Sequence, residues 1–416
     1  MLIRIIVFIL VLLVVDIYGY YGLRKFYKVN VWFRIHKWVT RCYWLMDIGF
    51  IIFAIGWVLI IRNSSWPDYV QYRNYFYITG AFMLIFLPKL IFLIFVLIDD
   101  IHKLVKWSLT KLQKENTEPS KVHNSPYVLN TGFMLSVLMF VWVLYGVSYG
   151  RFNFQVKEVV VEIKELPDSF DGYRIAQISD THLGSFARKR PMERALRIIK
   201  EAQYDALVFT GDMVNNEAIE AEKFVAGFQN INPPDGMFSI LGNHDMGDYR
   251  RWYTIEEKMA NLEQLKQIQK EMGFRLLRNE HYFITRGPDS LMIVGIDNWG
   301  LPPFEQYGDL KKALGDYAGF SVKLLLSHDP SHWRAQVIPK TDIQLTLSGH
   351  THAMQSGIDT PWFQWSPVSV KYPEWSGLYR EGKQKLYVNR GLGFIGFPGR
   401  LGMNPEITLI TLVKAK

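Results

Sequence analysis

The chain of 416 residues holds a single cysteine, Cys42. With no second thiol there is no internal disulfide, and a metal site built on thiolates is excluded. Acidic residues are scarce in the first third. Residues 1–150 contain 15 Lys and Arg against 7 Asp and Glu, so they carry the whole net charge of +8. Residues 151–416 contain 32 of each sign and are balanced. A basic face for phosphate backbones belongs on a globular half, and this half has no cationic excess, so no nucleic-acid partner is expected. Internal repeats and low-complexity tracts are also missing, and nothing points to a repeat array.

Long apolar runs, by contrast, are abundant. Four are nearly free of internal charge: Leu2–Tyr21, Cys42–Ile61, Phe76–Ile98 and Leu129–Tyr149. Each is close to the ~20 residues that cross a hydrocarbon core. Tyr18, Tyr20 and Tyr21, and again Trp142, Tyr145 and Tyr149, cluster at run ends as interfacial aromatics do. The first run has only Arg4 as a basic n-region and no small-residue cleavage pattern, so it reads as a retained helix. Asp47 reads as interfacial or paired. The runs carry few internal polar groups, which argues against a substrate pathway through them. Six cations (Arg24, Lys25, Lys28, Arg34, Lys37, Arg41) separate the first two runs. Arg62 and Arg73 separate the next two, and Lys103, Lys106, Lys111, Lys114 and Lys121 the last two. Positive charge marks cytoplasmic loops. The first and third loops are therefore expected inside, with the chain beyond Tyr149 on the outer side of the cell membrane. The polar stretch Glu115–Pro126 reads as a loop.

From Arg151 onward the pattern changes to short apolar runs: "YRIAQISD", "ALVFTGD", "MFSILGNHD", "LMIVGIDN", "VKLLLSHD", "IQLTLSGHTH", "KLYVNRG" and "EITLITLV". Between them, Pro191–Gln203 places Met192, Ala195, Leu196 and Ile199 on one helical face. Thr254–Met272 predicts a second helix, stopped by Gly273. The division expected is a four-helix transmembrane region over 1–150 and an α/β domain over 151–416.

Five of the runs end in Asp, Asn or His: Asp180 with His182, Asp212, Asn243 with His244, His328, and His350 with His352. A lone Asp after a strand is ordinarily a cap or turn residue, and a lone His is ordinarily structural. Seven or eight N/O ligands at strand ends are a different matter, because ligands of α/β sheets bind outside the strands' carboxyl ends. The number exceeds the four ligands of one tetrahedral ion and suits two ions held close together. Ligands without sulfur fit Mn, Fe or Zn.

In this order the motifs D-x-H, G-D, G-N-H-D, H after a strand, and G-H-x-H resemble the calcineurin-like metallophosphoesterases over about residues 170–410. The tail "LYVNRGLGFIGFPGRLGMNPEITLITL" and the apolar front resemble the membrane-attached bacterial phosphodiesterase branch. One departure is Ala353-Met354-Gln355 where that branch often has Gly-Gly-Gln, which implies a bulkier pocket floor. The resemblance implies a four-layer sandwich, two mixed sheets flanked by helices, behind the transmembrane region. It implies one divalent metal on Asp180, His182 and His352, a second on Asn243, His328 and His350, and Asp212 with a water or hydroxide bridging them. His244 would be the general acid for the leaving alkoxide, oriented by Asp245 or another carboxylate. Arg390 and Asn298 are weaker candidates for substrate contact; His281 and His332 read as packing residues.

These readings combine into a membrane-anchored dimetal phosphohydrolase, on a phosphodiester or phosphomonoester, with membrane lipids as partners and a lipid-linked phosphate as substrate. The aromatic stretch containing Trp362, Phe363, Trp365, Tyr372, Trp375 and Tyr379 is expected to form a lip at the pocket mouth. Three alternatives stand beside this reading. One is a cytoplasm-facing lipid nucleotide pyrophosphatase of the UDP-diacylglucosamine type. The others are a non-catalytic metal-binding membrane sensor and a transporter with an appended hydrolase.

Overall fold

The computed structural model describes residues 2–30, 35–63, 68–112 and 123–415. They form two compact units. One comprises Met1–Ser65 and Tyr77–Tyr145, the other Trp66–Phe76 and Gly146–Lys416. The expected loop Glu115–Pro126 falls largely outside the described residues, as do Arg34, Lys114 and Lys121.

Four helices supply the first unit: α1 (Leu2–Val29), α2 (His36–Asn63), α3 (Tyr69–Leu112) from Tyr77 onward and α4 (Pro126–Ser148) as far as Tyr145. Each of the four apolar runs lies in one of them. Among the described residues, His36–Gly56, Tyr69–Lys111 and Pro126–Phe152 are long and apolar enough to cross a membrane. With 44 residues α3 is far longer than a bilayer needs. Leu23, Phe26, Phe92, Val96 and Leu129 pack α1, α3 and α4 together. Leu12, Phe50, Ile78 and Phe86 bring in α2.

The few internal charges of these runs find one another. Lys89 of α3 lies between two buried carboxylates. Asp16 of α1 is 2.9 Å from its amine, and Asp47 of α2 pairs with the same amine. The Tyr43 ring lies 4.0 Å from it. Asp47 is thus a paired residue.

The second unit carries two six-stranded mixed sheets. In the first, β1 (Gln155–Ile163), β14 (Glu406–Lys414), β2 (Arg174–Ile178), β3 (Ala206–Phe209), β4 (Met237–Ser239) and β5 (Phe274–Leu276) lie side by side in that order. In the second the order is β12 (Gly377–Glu381), β13 (Gln384–Val388), β9 (Leu345–Ser348), β8 (Lys323–Leu326), β7 (Asp289–Gly295) and β6 (Glu280–Arg286). A hairpin of β10 (Ile358–Asp359) and β11 (Gln364–Trp365) lies apart.

Alternate residues of each strand face opposite ways, and the cores follow. Leu207 and Phe209 of β3 join Met192, Ala195, Leu196 and Ile199 of α5 (Arg190–Glu201) in an outer core. Ala206 and Val208 instead meet Leu324, Leu326, Leu345 and Leu347 between the sheets. Leu325 faces the far side, with Trp333 and Val337. The result is the helix–sheet–sheet–helix sandwich expected. Two short helices, α6 (Ile219–Glu222) and α7 (Val225–Phe228), precede α8 (Ile255–Glu271). Thr254 caps α8 by accepting the Glu257 N–H at 3.1 Å, and Gly273, at φ +96°, ends it.

Strands β2, β3 and β4 are parallel neighbours, as are β8 and β9. Their carboxyl ends therefore open onto common edges, and the loops that follow them carry every expected metal ligand.

Candidate metal centre

The loops after β2 and β9 bring Asp180, His182 and His352 together, with ligand atoms within 4.8 Å of one another. The Nε2 atoms of His182 and His352 face each other at 3.1 Å, and Asp180 Oδ1 lies 3.2 Å from His352 Nε2. The loops after β3, β8 and β9 gather Asp212, His328 and His350 in the same way. Asn243 joins this second group: its Oδ1 is 2.8 Å from His350 Nδ1 and 3.1 Å from His328 Nε2. Asp212 stands between the groups. Its Oδ2 is 3.2 Å from His328 Nε2 and 3.7 Å from His182 Nε2.

The donor set fits divalent ions. Potential ligand atoms converge from both sides, and the residues around them fix which atom points inward. His328 gives its Nδ1–H to the Thr210 carbonyl at 2.7 Å, which leaves Nε2 toward Asp212. His350 is held from behind by the Tyr372 hydroxyl, 2.9 Å from Nε2, and by Asp329, 3.5 Å away. Asn243 donates its amide to the Tyr249 hydroxyl at 2.9 Å, which turns Oδ1 inward. The field favours positive charge. Burial raises the Asp212 carboxyl, but His328 and its neighbours outweigh that and hold it well below the usual value. Burial acts to lower His328, yet Asp212 overrides it and pushes the imidazole up to about 10.

The backbone at these positions is strained. Among the described residues nine non-glycine residues have φ in the left-handed region, and Asp180, His182, Asp212, His350 and His352 are five of them. Such conformations cost of order 1–3 kcal/mol each and gather where surrounding structure imposes them. Ala353 (φ 47°) and Met354 (φ 49°) belong to the same set. They occupy the two positions where the resembling branch often has glycine, the residue that adopts this conformation freely. The Ala353 side chain is buried with Tyr372, Trp375 and Met403, whereas Met354 is 58% exposed.

His244 lies beside both groups, its ring 5.0 Å from that of His182. Its N–H donates to Asp212 Oδ1 at 2.9 Å. Asp245 does not orient it. That carboxylate accepts the backbone N–H groups of Gly242, Asp212, Met213 and Val214 at 2.8–3.2 Å and so ties the β3 and β4 loops together. An Asp three residues after Gly242 reaches the loop's own amides more readily than its neighbour's ring. The Asn215 carbonyl takes the orienting place, 2.8 Å from His244 Nδ1. Burial lowers the His244 imidazole's affinity for a proton, with Asp212 opposing.

The two weaker candidates are otherwise engaged. Arg390 is buried and pairs with Asp359, bonds Ser376 Oγ and lies 3.7 Å from Glu406, so its guanidinium serves a structural ion-pair network in place of a phosphate contact. Asn298 is buried and gives its amide to the Glu305 carbonyl at 3.1 Å. His332 packs on Trp299 and His281 bonds the Ala313 carbonyl, both as packing residues. The aromatic stretch divides: Trp362 is 92% exposed and Phe363 and Trp365 are also exposed, while Tyr372 and Trp375 are buried.

Sequence reasoning missed Tyr372 as a partner of His350, and it missed Asp329 and Arg400. Asp329 directly follows a ligand in "SHD", a signal that was available. Arg400 is fully buried and donates to the carbonyls of Arg390, Gly391 and Gly393. It thereby closes the "RGLG" loop against His352, whose Nδ1 is 3.5 Å away.

A sandwich of two mixed sheets with paired His/Asp clusters at its strand ends, preceded by apolar helices, defines a metal-dependent phosphoesterase class. The comparisons with known proteins agree. Residues 173–354 match the family described as "Calcineurin-like phosphoesterase". Residues 3–151 match "Probable Calcineurin-like phosphoesterase, transmembrane domain". The chain is 30% identical over 279 residues to the Bacillus subtilis "Uncharacterized metallophosphoesterase YkuE", covering 64% of this chain and 90% of that protein. It is 28% identical over 290 residues to a Danio rerio "Transmembrane protein with metallophosphoesterase domain", covering 67% of this chain and 62% of the relative. A Chlamydia trachomatis "UDP-2,3-diacylglucosamine pyrophosphatase LpxG" is 28% identical over 278 residues, 55% of this chain and 81% of that protein. The chain belongs to the calcineurin-like metallophosphoesterase family.

Proposed function

We propose that the protein is a membrane-anchored, dimetal phosphohydrolase acting on a lipid-linked phosphate ester. The observation that carries this reading is Asp212 Oδ2, within 4 Å of a histidine from each ligand group. Asp180, His182 and His352 would hold one ion, Asn243, His328 and His350 the other, and Asp212 would bridge them. Bound there, two such ions would neutralise phosphate oxygens and lower the pKa of water near neutrality.

The chain's own residues supply the rest. Asp245 fixes the Asp212 loop through four backbone amides. Tyr372 and Asp329 orient His350. An alkoxide is a poor leaving group and needs a proton as the P–O bond breaks. His244, with Nδ1 committed to the Asn215 carbonyl, presents Nε2 to donate it. Trp362, Phe363 and Trp365 form the exposed part of the aromatic stretch and suit an interfacial lip. The cation distribution of the loops supports an extracytoplasmic domain.

A second reading, a cytoplasm-facing lipid nucleotide pyrophosphatase, is favoured by the likeness to the chlamydial pyrophosphatase. One experiment separates the two. Purified protein with Mn²⁺ is incubated with a total lipid extract and with UDP-diacylglucosamine, and products are read by mass spectrometry. Cleavage of a lipid phosphate ester supports the first reading, and cleavage confined to the nucleotide supports the second. No product from either sinks both.

A further inference from the structure

Arg400 is a buried cation standing behind the group of Asp180, His182 and His352. A guanidinium carries five N–H donors and no acceptor. Here they are spent on a short strap, residues 390–393, that follows β13. Nη2 donates to the carbonyls of Arg390 at 2.8 Å, Gly391 at 3.0 Å and Gly393 at 2.6 Å. Nε donates to Gly393 again at 3.1 Å, and Nη1 reaches the Met403 carbonyl at 3.4 Å. Gly391, at φ +77°, gives the strap a turn that glycine makes freely.

The strap lies on the loop that carries Asp180. The Leu392 N–H donates to the Ser179 carbonyl at 2.9 Å, and the Gly393 N–H to that of Asp180 at 2.8 Å. The approach is close. A Cβ on Gly391 would stand 2.6 Å from Asp180 Cβ, and one on Gly393 would run into the Thr181 carbonyl. Asp180 and His352 hold φ of 51° and 50°, a conformation that persists where surrounding structure imposes it. The strap presses on the first of these residues. Arg400 itself backs the second, with Nη2 3.5 Å from His352 Nδ1, a packing distance at the limit of a hydrogen bond. None of these bonds runs to the other group. Asn243, His328 and His350 are held by Tyr249, Thr210 and Tyr372.

We propose that Arg400 is a positioning residue for one metal of the pair. It clamps the strap over Asp180 and backs His352, and so sets the affinity of the Asp180–His182–His352 group while leaving the Asn243–His328–His350 group to its own supports. The assignment rests on the two-ion reading above.

The test reads metal binding and needs no turnover. Full-length protein in nanodiscs is stripped with EDTA and titrated with Mn²⁺, followed by electron paramagnetic resonance. Wild type should take up two ions and show the exchange-coupled spectrum of a close pair. Fewer than two ions in wild type would refute the two-ion reading itself. Arg400→Lys is then placed in two backgrounds. In His328→Ala, where the ion left is held by Asp180, His182 and His352, it should weaken Mn²⁺ binding roughly 10- to 100-fold. In His182→Ala, where the ion left is held by the other group, it should change binding less than about threefold. Gly391→Ala pushes on Asp180 from the strap and leaves the guanidinium in place, and it should repeat the pattern. Equal weakening in both backgrounds, or in neither, overturns the proposal. Circular dichroism of the metal-free proteins checks the fold. If Arg400→Lys and Gly391→Ala both fail to fold, the strap holds the sandwich instead of the metal and the proposal falls.

Discussion

His244 Nδ1 lies 2.8 Å from the carbonyl oxygen of Asn215. A carbonyl only accepts, so Nδ1 keeps its hydrogen in every protonation state and Nε2 is the nitrogen that gains and loses one. His244→Asn should therefore retain bound metal and lose roughly 10²–10⁴ in turnover on an alkyl ester. The loss should be smaller on an aryl ester, whose leaving group needs less help. Metal content by atomic emission and kinetics on both esters check this, and equal losses rule out an acid. Asp212→Asn should instead lower metal content, since it removes the charge that faces both groups.

Glu220 is fully buried, and burial lifts its carboxyl from 4.5 to about 7, against the pull of three backbone amides. A carboxyl raised in the folded state favours folding most fully below the unfolded value, and that contribution is lost as pH rises through the folded value. Wild type should lose stability relative to Glu220→Gln between about pH 4.5 and 7, by up to about 3 kcal/mol. Paired thermal melts across this range measure it. A difference that does not vary with pH removes Glu220 as the titrating group.

Met354 combines a φ of 49° with an exposed side chain. Met354→Gly should be neutral or stabilising by up to about 1 kcal/mol, and Met354→Val should destabilise by about 1–2 kcal/mol, because a β-branched residue fits the left-handed region worst. Chemical denaturation of the three proteins gives the order directly. Valine matching glycine would mean the loop relaxes out of this conformation.

Trp362→Ser together with Trp365→Ser should lower activity on bilayer-embedded esters well below that on a small soluble ester, since both side chains are exposed and neither touches a ligand. Parallel losses on both substrates make the stretch structural only.

A reporter that works only outside the cytoplasm, fused after Lys416, should be active, and the same reporter near Asn116 should be silent. The reverse pattern places the catalytic domain in the cytoplasm and favours the nucleotide reading.

The residues of the two clusters were legible because each sits two to four residues past a short apolar strand, so motif and element are contiguous. The residues that aim them were not. Tyr372 reaches His350 across twenty-two positions, and Arg400 reaches the carbonyls of a loop ten residues earlier through a turn that no periodicity reveals. Asp245 was legible as important and misassigned in role, since sequence adjacency to His244 says nothing of where a carboxylate turns. The α/β character followed from the strand pattern and the sandwich from the family resemblance, while the order of the strands followed from neither. Asp47 was legible as interfacial or paired, while its partner Lys89 lies on another helix and was not.

Lys89 has a consequence for how the helical unit comes into being. Chains emerge N-terminus first, so α1 and α2 arrive carrying Asp16 and Asp47 before α3 brings the amine that both of them face. A bare carboxylate in hydrocarbon costs several kcal/mol. Neither early helix can settle at full depth alone with its charge intact. Asp16 and Asp47 gain their shared counter-charge only once the third helix is made. The bundle is thereby assembled as a threesome, with the lysine acting as its latch.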